Sequence, residues 1–199
     1  MFRNSLTVSL IAIVAMFTAG CGSADEPPAP ISIDQRPITS AELGGIAVAD
    51  QPEPQTVAQF AKAHNKTVAE LKATGMTSGT AQQFKLNGPG TTFSVVAAYE
   101  TPEQAKTEAA RLFKSNSTQD EGVKVKPLEI SGVPGAQAIA LSGEQDGQDF
   151  TGYEIVYSDG NLVYELFAIG STEEVSSSAG MKAVQSQYDR VQGHPLPAA

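Results

Sequence analysis

The apolar positions of this chain change period along its length. Leu6 to Phe17 form an unbroken apolar-rich run, LTVSLIAIVAMF. From Val57 the spacing turns helical: Val57, Phe60, Ala61, His64, Val68 and Leu71 fall on one stripe. Thr56 and Gln59 stand in the Thr-x-x-Gln pattern of a capping box, and Thr74-Gly75 closes the segment. Asn65 and Thr67 are expected to split it into two short helices. Alternation follows in Ala81–Leu86 and Thr92–Tyr99, two strands joined by the turn Asn87-Gly88-Pro89-Gly90.

Thr101-Pro102-Glu103-Gln104 then caps a second helix with proline at its first position. Ala105, Ala109, Leu112 and Phe113 make its apolar stripe. Val123–Ile130 reads as an edge strand, because Pro127 lacks an amide donor. A meander follows in Ala136–Leu141, Tyr153–Tyr157 and Leu162–Ile169, with turns at Asp146-Gly147 and Asp159-Gly160. A two-residue Asp159-Gly160 loop would set Glu154 opposite Glu165, a costly like-charge pair. A three-residue Ser158-Asp159-Gly160 loop with a bulge is therefore expected. Ser171-Thr172-Glu173-Glu174 is the expected cap of the last helix. Val175, Ala179, Ala183, Val184, Tyr188 and Val191 are its core face, and Gly180 a weak point.

These elements predict an α+β fold. Short turns give an antiparallel sheet of about six strands ending in the meander, with two to three amphipathic helices over one face. Each part ends strand–strand–helix, the order a diverged internal repeat would leave. The hairpin Tyr153–Ile169 is expected mid-sheet with Phe167 inward. Tyr164, on the opposite face by alternation, is expected to matter less unless helices cover both sides. Prolines at 27, 28, 30, 37, 52 and 54 make residues 21–55 an extended acidic tether, part of which (Gly45–Ala49) is apolar enough to lie on the domain. The domain organisation is thus 1–20 leader, 21–55 tether, 56–192 one α+β domain and 193–199 an irregular tail.

Charge narrows the partners. The 199 residues carry 13 Lys+Arg against 22 Asp+Glu, net −9, and the leader holds Arg3 but no acid. Such a surface argues against nucleic acid and against broad adhesion to anionic lipid headgroups. Cys21 is the sole cysteine, so thiol nucleophiles, disulfides and Cys-based metal sites are excluded after it. No Gly-x-Ser-x-Gly elbow occurs. His64 and His194 are the only histidines, and neither has a His or Cys at ligand spacing. Glu144, Asp146 and Asp149 crowd one turn but depart from the spacing of a calcium loop. Residues 87–90 lack the lysine and helix of a phosphate loop. The expectation is a protein that is not an enzyme and takes no metal or cofactor. Tyr153, Tyr157 and Tyr164, on the strands, are the candidate ligand-binding residues, since an outward aromatic set would make a concave apolar patch.

The start of the chain combines Arg3, the apolar run and the small residues Thr18-Ala19-Gly20 before Cys21, the pattern of a signal peptide. The run is short for a spanning helix, which needs about 20 residues. Ala19-Gly20-Cys21 resembles the lipobox of bacterial lipoproteins, with Thr18 where leucine is usual. That resemblance implies a diacylated, palmitate-type anchor on Cys21 and a location on the outer face of the cell membrane.

Leu71 to Val191 resembles a family of small actinobacterial envelope lipoproteins. The resemblance rests on Gly75-Met76, Ser94-Val95-Val96 with Tyr99, the turn Gly132–Ala136, the Tyr153–Tyr164 hairpin and Gln187–Arg190. It implies a fold and a location, and brings no catalytic residues. More locally, residues 56–75 are similar to the helical part of a LysM domain, although Glu53-Pro54-Gln55 replaces the usual Gly-Asp. The leading expectation is a membrane-anchored extracytoplasmic module that binds an envelope protein or small ligand. The alternatives are a binder of peptidoglycan N-acetylglucosamine polymers through residues 56–75, and a lipid or glycolipid carrier.

Overall fold

In the computed structural model the described residues are 28–117, 122–145 and 147–197. The leader and Cys21 lie outside them, as does Asp146. Seven strands form one antiparallel sheet: β1 (Gln55–Thr56), β2 (Met76–Phe84), β3 (Gly90–Tyr99), β4 (Lys124–Leu128), β5 (Gln137–Gln145), β6 (Gln148–Asp159) and β7 (Leu162–Gly170). Their order is β1-β2-β3-β7-β6-β5-β4, which puts β7 at the centre and β4, with Pro127, at an edge. The helices are α1 (Val57–Ala63), α2 (Val68–Ala73), α3 (Pro102–Asn116) and α4 (Ser177–Val191), with a 3-10 turn at Ile33–Gln35.

The α+β class, the antiparallel pairing and the central hairpin match the reading of the pattern. The sheet has one more strand than expected, and both of its faces are covered. On one side α1, α2 and α3 lie over Val95, Ala97, Tyr99, Val156 and Val163, and on the other α4 covers Val96, Ala98, Tyr153, Ile155, Tyr157, Tyr164 and Leu166. Alternation along β3, β6 and β7 therefore separates two buried faces rather than core from water.

The small residues Ala105 and Ala109 let α3 lie close against β6 and β7. Thr101 Oγ1 accepts from the Gln104 amide at 3.2 Å and Pro102 opens the helix, as its sequence predicts. Asn65, at φ 52°, separates α1 from α2, and each of the two carries its own capping box. α4 begins later than expected. Its cap is Ser176, while Glu174 instead accepts from the Gly88 amide at 2.8 Å. Gly180 is no weak point: a Cβ there would lie 2.3 Å from the Tyr153 ring, so glycine is what lets α4 seat on the sheet.

The β6–β7 turn follows neither expected loop. Its two loop residues are Gly160, at φ 54°, and Asn161, and the register pairs Tyr157 with Tyr164 and Val156 with Glu165. Glu154 faces Phe167 and stands diagonal to Glu165 on the same face, so direct like-charge opposition is avoided without a bulge.

The stretch assigned to the tether is, from Ile31, part of the domain. Ile33, Ile38 and Leu43 are buried against the α4 face, and Val48 bridges to Phe84. Arg36 is fully buried. Its Nη1 donates to the Tyr164 hydroxyl at 2.9 Å, its Nη2 to the Pro195 carbonyl at 2.9 Å, and its Nε to the Ile31 carbonyl at 3.1 Å. Gln187 on α4 donates to the Arg36 carbonyl at 2.8 Å, and Arg190 pairs with Glu42 at 2.9 Å. The tail joins the same knot, since the Ile31 amide donates to Pro195 and His194 Nδ1 meets the Ala29 carbonyl at 2.6 Å. Prolines prevent regular structure here, but they do not prevent burial of the isoleucines between them.

Candidate functional site

Tyr153, Tyr157 and Tyr164 come together, but in the core beneath α4. Their exposures are 3%, 1% and 0%. Tyr157 and Tyr164 stack with centroids 4.6 Å apart; the first donates to Gln187 Oε1 at 3.2 Å and the second accepts from Arg36. Burial raises the pKa of all three, to about 12 for Tyr153. They hold the fold together and form no exposed patch. The expectation fails because it assumed one bare face. His194 belongs to the same packing. In the register Glu144 faces Asp149, and among the described residues no group of three potential metal ligands forms.

The opposite face carries a groove of about 160 Å³ between α1–α2 and α3. Alternation in β3 and β7 supplies its floor: Phe93, Val95, Ala97 and Tyr99 from one strand, Val163 and Glu165 from the other. Phe60 and Leu71 line one wall, Leu112 and the Glu108–Arg111 pair the other. A wider depression of about 780 Å³ adjoins it, sharing His64 and Phe93 and lined also by Asp50, Glu53 and Gln55. Together they make one furrow, apolar within and acidic at its mouth.

Glu165 is the singular group of this furrow. In the register it stands between Val95 and Val156, and among the described residues it makes no hydrogen bond or ion pair. Burial pushes its carboxyl up to about 7. Arg111, which lines the same groove, is committed to Glu108, with Nε at 2.7 Å from Oε2. Glu154, diagonal to it beneath α3, is also pushed up to about 7, by burial foremost. It accepts from Asn116 at 2.8 Å on one oxygen, while the other is buried without a partner. Tyr99 is raised by burial and by Glu108. His64 closes α1 and stacks on Phe60 at 4.0 Å, and burial lowers its pKa. Its Nε2 and the Oε1 of Gln55, both lining the wider depression, are buried with no partner among the described residues. Buried polar atoms are normally paired. Other depressions, at Pro89–Gly90 beside Phe150 and along α4 beside Ile130, are lined by none of these unpaired atoms.

Sequence reasoning read Glu154 and Glu165 only as a pairing problem in a hairpin. The available signal was a glutamate inside each of two otherwise apolar central strands.

No family model matches the chain, and no curated protein matches it. Among solved structures it is similar to the extracellular domain of PknH from Mycobacterium tuberculosis, with a TM-score of 0.50 and 14% identity over 76% of this chain and 88% of that one. At that identity the likeness establishes a shared fold. Among the described residues no helix is long and apolar enough to cross a membrane.

Proposed function

We propose that this chain is a lipid-anchored extracytoplasmic binding module, without catalytic activity, that holds a small ligand in the groove between α1–α2 and α3. The observation that carries the reading is the unpaired Glu165 carboxyl on the floor of an apolar groove. A protein gains no stability from such a group, whereas a ligand that completes its hydrogen bonds gains affinity from it. The location rests on the leader and Cys21, and the kinship of fold with an extracellular domain supports it. A carrier of plain hydrocarbon fits less well, because its pocket would have no carboxyl in the floor. The test is to fill the groove. Leu112→Trp should abolish binding of small ring compounds seen by ligand-observed NMR while leaving the cooperative melt in place. Binding that survives the filling moves the site elsewhere.

Peptidoglycan binding remains a second reading, favoured by one observation: α2 has no fully buried side chain and leaves Val68 38% exposed. Sedimentation with insoluble peptidoglycan, unchanged by Leu112→Trp, would favour it over the groove.

A further inference from the structure

Resting on that reading of the groove, we infer that its ligand is a small organic amine: a protonated ammonium on a ring-sized apolar body, the body against Phe60, Val95 and Leu112 and the ammonium on Glu165. Size and charge both point there. The groove takes a ring-sized body, and its lining is apolar apart from His64, Lys66, Glu165 and the Glu108–Arg111 pair. In the furrow the part-exposed Glu165 carboxyl on the floor has no protein partner among the described residues, and Gln55 Oε1 at the mouth, beside Asp50 and Glu53, is buried without one, as is His64 Nε2. An ammonium brings three donors and a positive charge, and no acceptor. A carboxylate or phosphate ligand would meet this acidic lining with repulsion, and the Arg111 guanidinium that could receive it is already bonded twice to Glu108. Lys66 also lines the groove; the Glu70 carboxyl near it is held low first by its hydrogen bonds from Thr67 and only then by Lys66.

The raised pKa of Glu165 gives this binding a proton signature. Free, the carboxyl is part-protonated near neutral pH; an ammonium favours its ionised form, so binding releases a proton. The other charged or titratable groups at or beside the groove are Tyr99 on β3, Glu154 on β6, Glu108 and Arg111 on α3, His64 at the end of α1 and Lys66 beyond it. Of these, Glu154 also titrates near 7, with Glu165 contributing to its shift, and burial lowers the pKa of His64.

The test compares phenethylamine with its uncharged analogue 2-phenylethanol and with phenylpropionate, by titration calorimetry on the full chain in detergent, in buffers of different ionisation enthalpy. Phenethylamine should bind most tightly, release up to about half a proton at pH 7, and tighten as pH rises from 6 to 8. Glu165→Gln should weaken it by about tenfold or more and abolish the proton release, while 2-phenylethanol changes little. Glu154→Gln should keep the preference for the amine. Equal binding of amine and alcohol, with no effect of Glu165→Gln, overturns the inference and leaves the groove as a neutral site. Preferred binding of phenylpropionate overturns it likewise. Failure of every probe in the parent protein at millimolar concentration overturns both the inference and the groove reading beneath it.

Discussion

Glu154 and Glu165 face the same side of the central hairpin, and burial pushes both carboxyls up to about 7. In the unfolded chain each titrates near the ordinary glutamate value of 4.5. Between those values the folded protein holds more protons than the unfolded chain, so stability falls as pH rises through the window. Their contribution is fully present below about 4.5 and lost above about 7, at most about 3 kcal/mol for each. Glu154→Gln keeps the bond from Asn116 and cannot ionise. Urea melts should show it more stable than the parent at pH 8 by about 1–3 kcal/mol, with little difference at pH 4.5. A parent protein that gains stability across this window would contradict the assignment. The aromatic residues give a second contrast. Tyr164 is fully buried, stacked and bonded to Arg36, whereas Phe167 is half-buried against Phe93 at 5.1 Å. Tyr164→Ala should cost about 3–5 kcal/mol and Phe167→Ala about 1–3 kcal/mol, the reverse of what a one-sided sheet predicts. Equal losses would show that α4 does not cover its face as described.

The elements were legible where local chemistry dictates them. The capping boxes at Thr56 and Thr101 and proline at 102 sit where the sequence puts them, and Pro127 lies on an edge strand. The start of β2 was missed because Thr77, Ser78 and Gly79 carry no apolar alternation; that strand end is fixed by pairing with Ala97 and Ala98 and by Phe60 packing over Gly79. The segment 31–48 was misread for a related reason. Its prolines report accurately on local conformation, but Arg36 finds its partners more than a hundred residues away, at Tyr164 and Pro195. Deletion of residues 1–50 leaves Tyr164 without that partner, Gln187 without the Arg36 carbonyl, and the α4 face without Ile33, Ile38 and Leu43. Circular dichroism melts should show the shortened protein unfolding well below a version that starts at residue 28, by about 10 °C or more. Equal melting temperatures would return the segment to the role of tether.

At the scale of the whole molecule, the two faces of the sheet divide the work. The α4 face, with the N-terminal segment and the tail, is a closed core; the α1–α3 face is left incompletely filled around Glu165. A single sequence shows which residues alternate but not what covers each face, so the tyrosines and the glutamates were weighted the wrong way round. The proposed anchor is Cys21: Cys21→Ser should shift the protein from the membrane to the soluble fraction on cell fractionation, and unchanged membrane binding would remove the anchor from the account. The central claim, that the ligand enters between α1–α2 and α3, is tested most directly by amide chemical-shift mapping with phenethylamine. The account predicts shifts that cluster at Phe60, Val95, Leu112 and Glu165 and vanish in Leu112→Trp. Shifts confined to α4, to the Pro89–Gly90 loop or to α2 alone would contradict it.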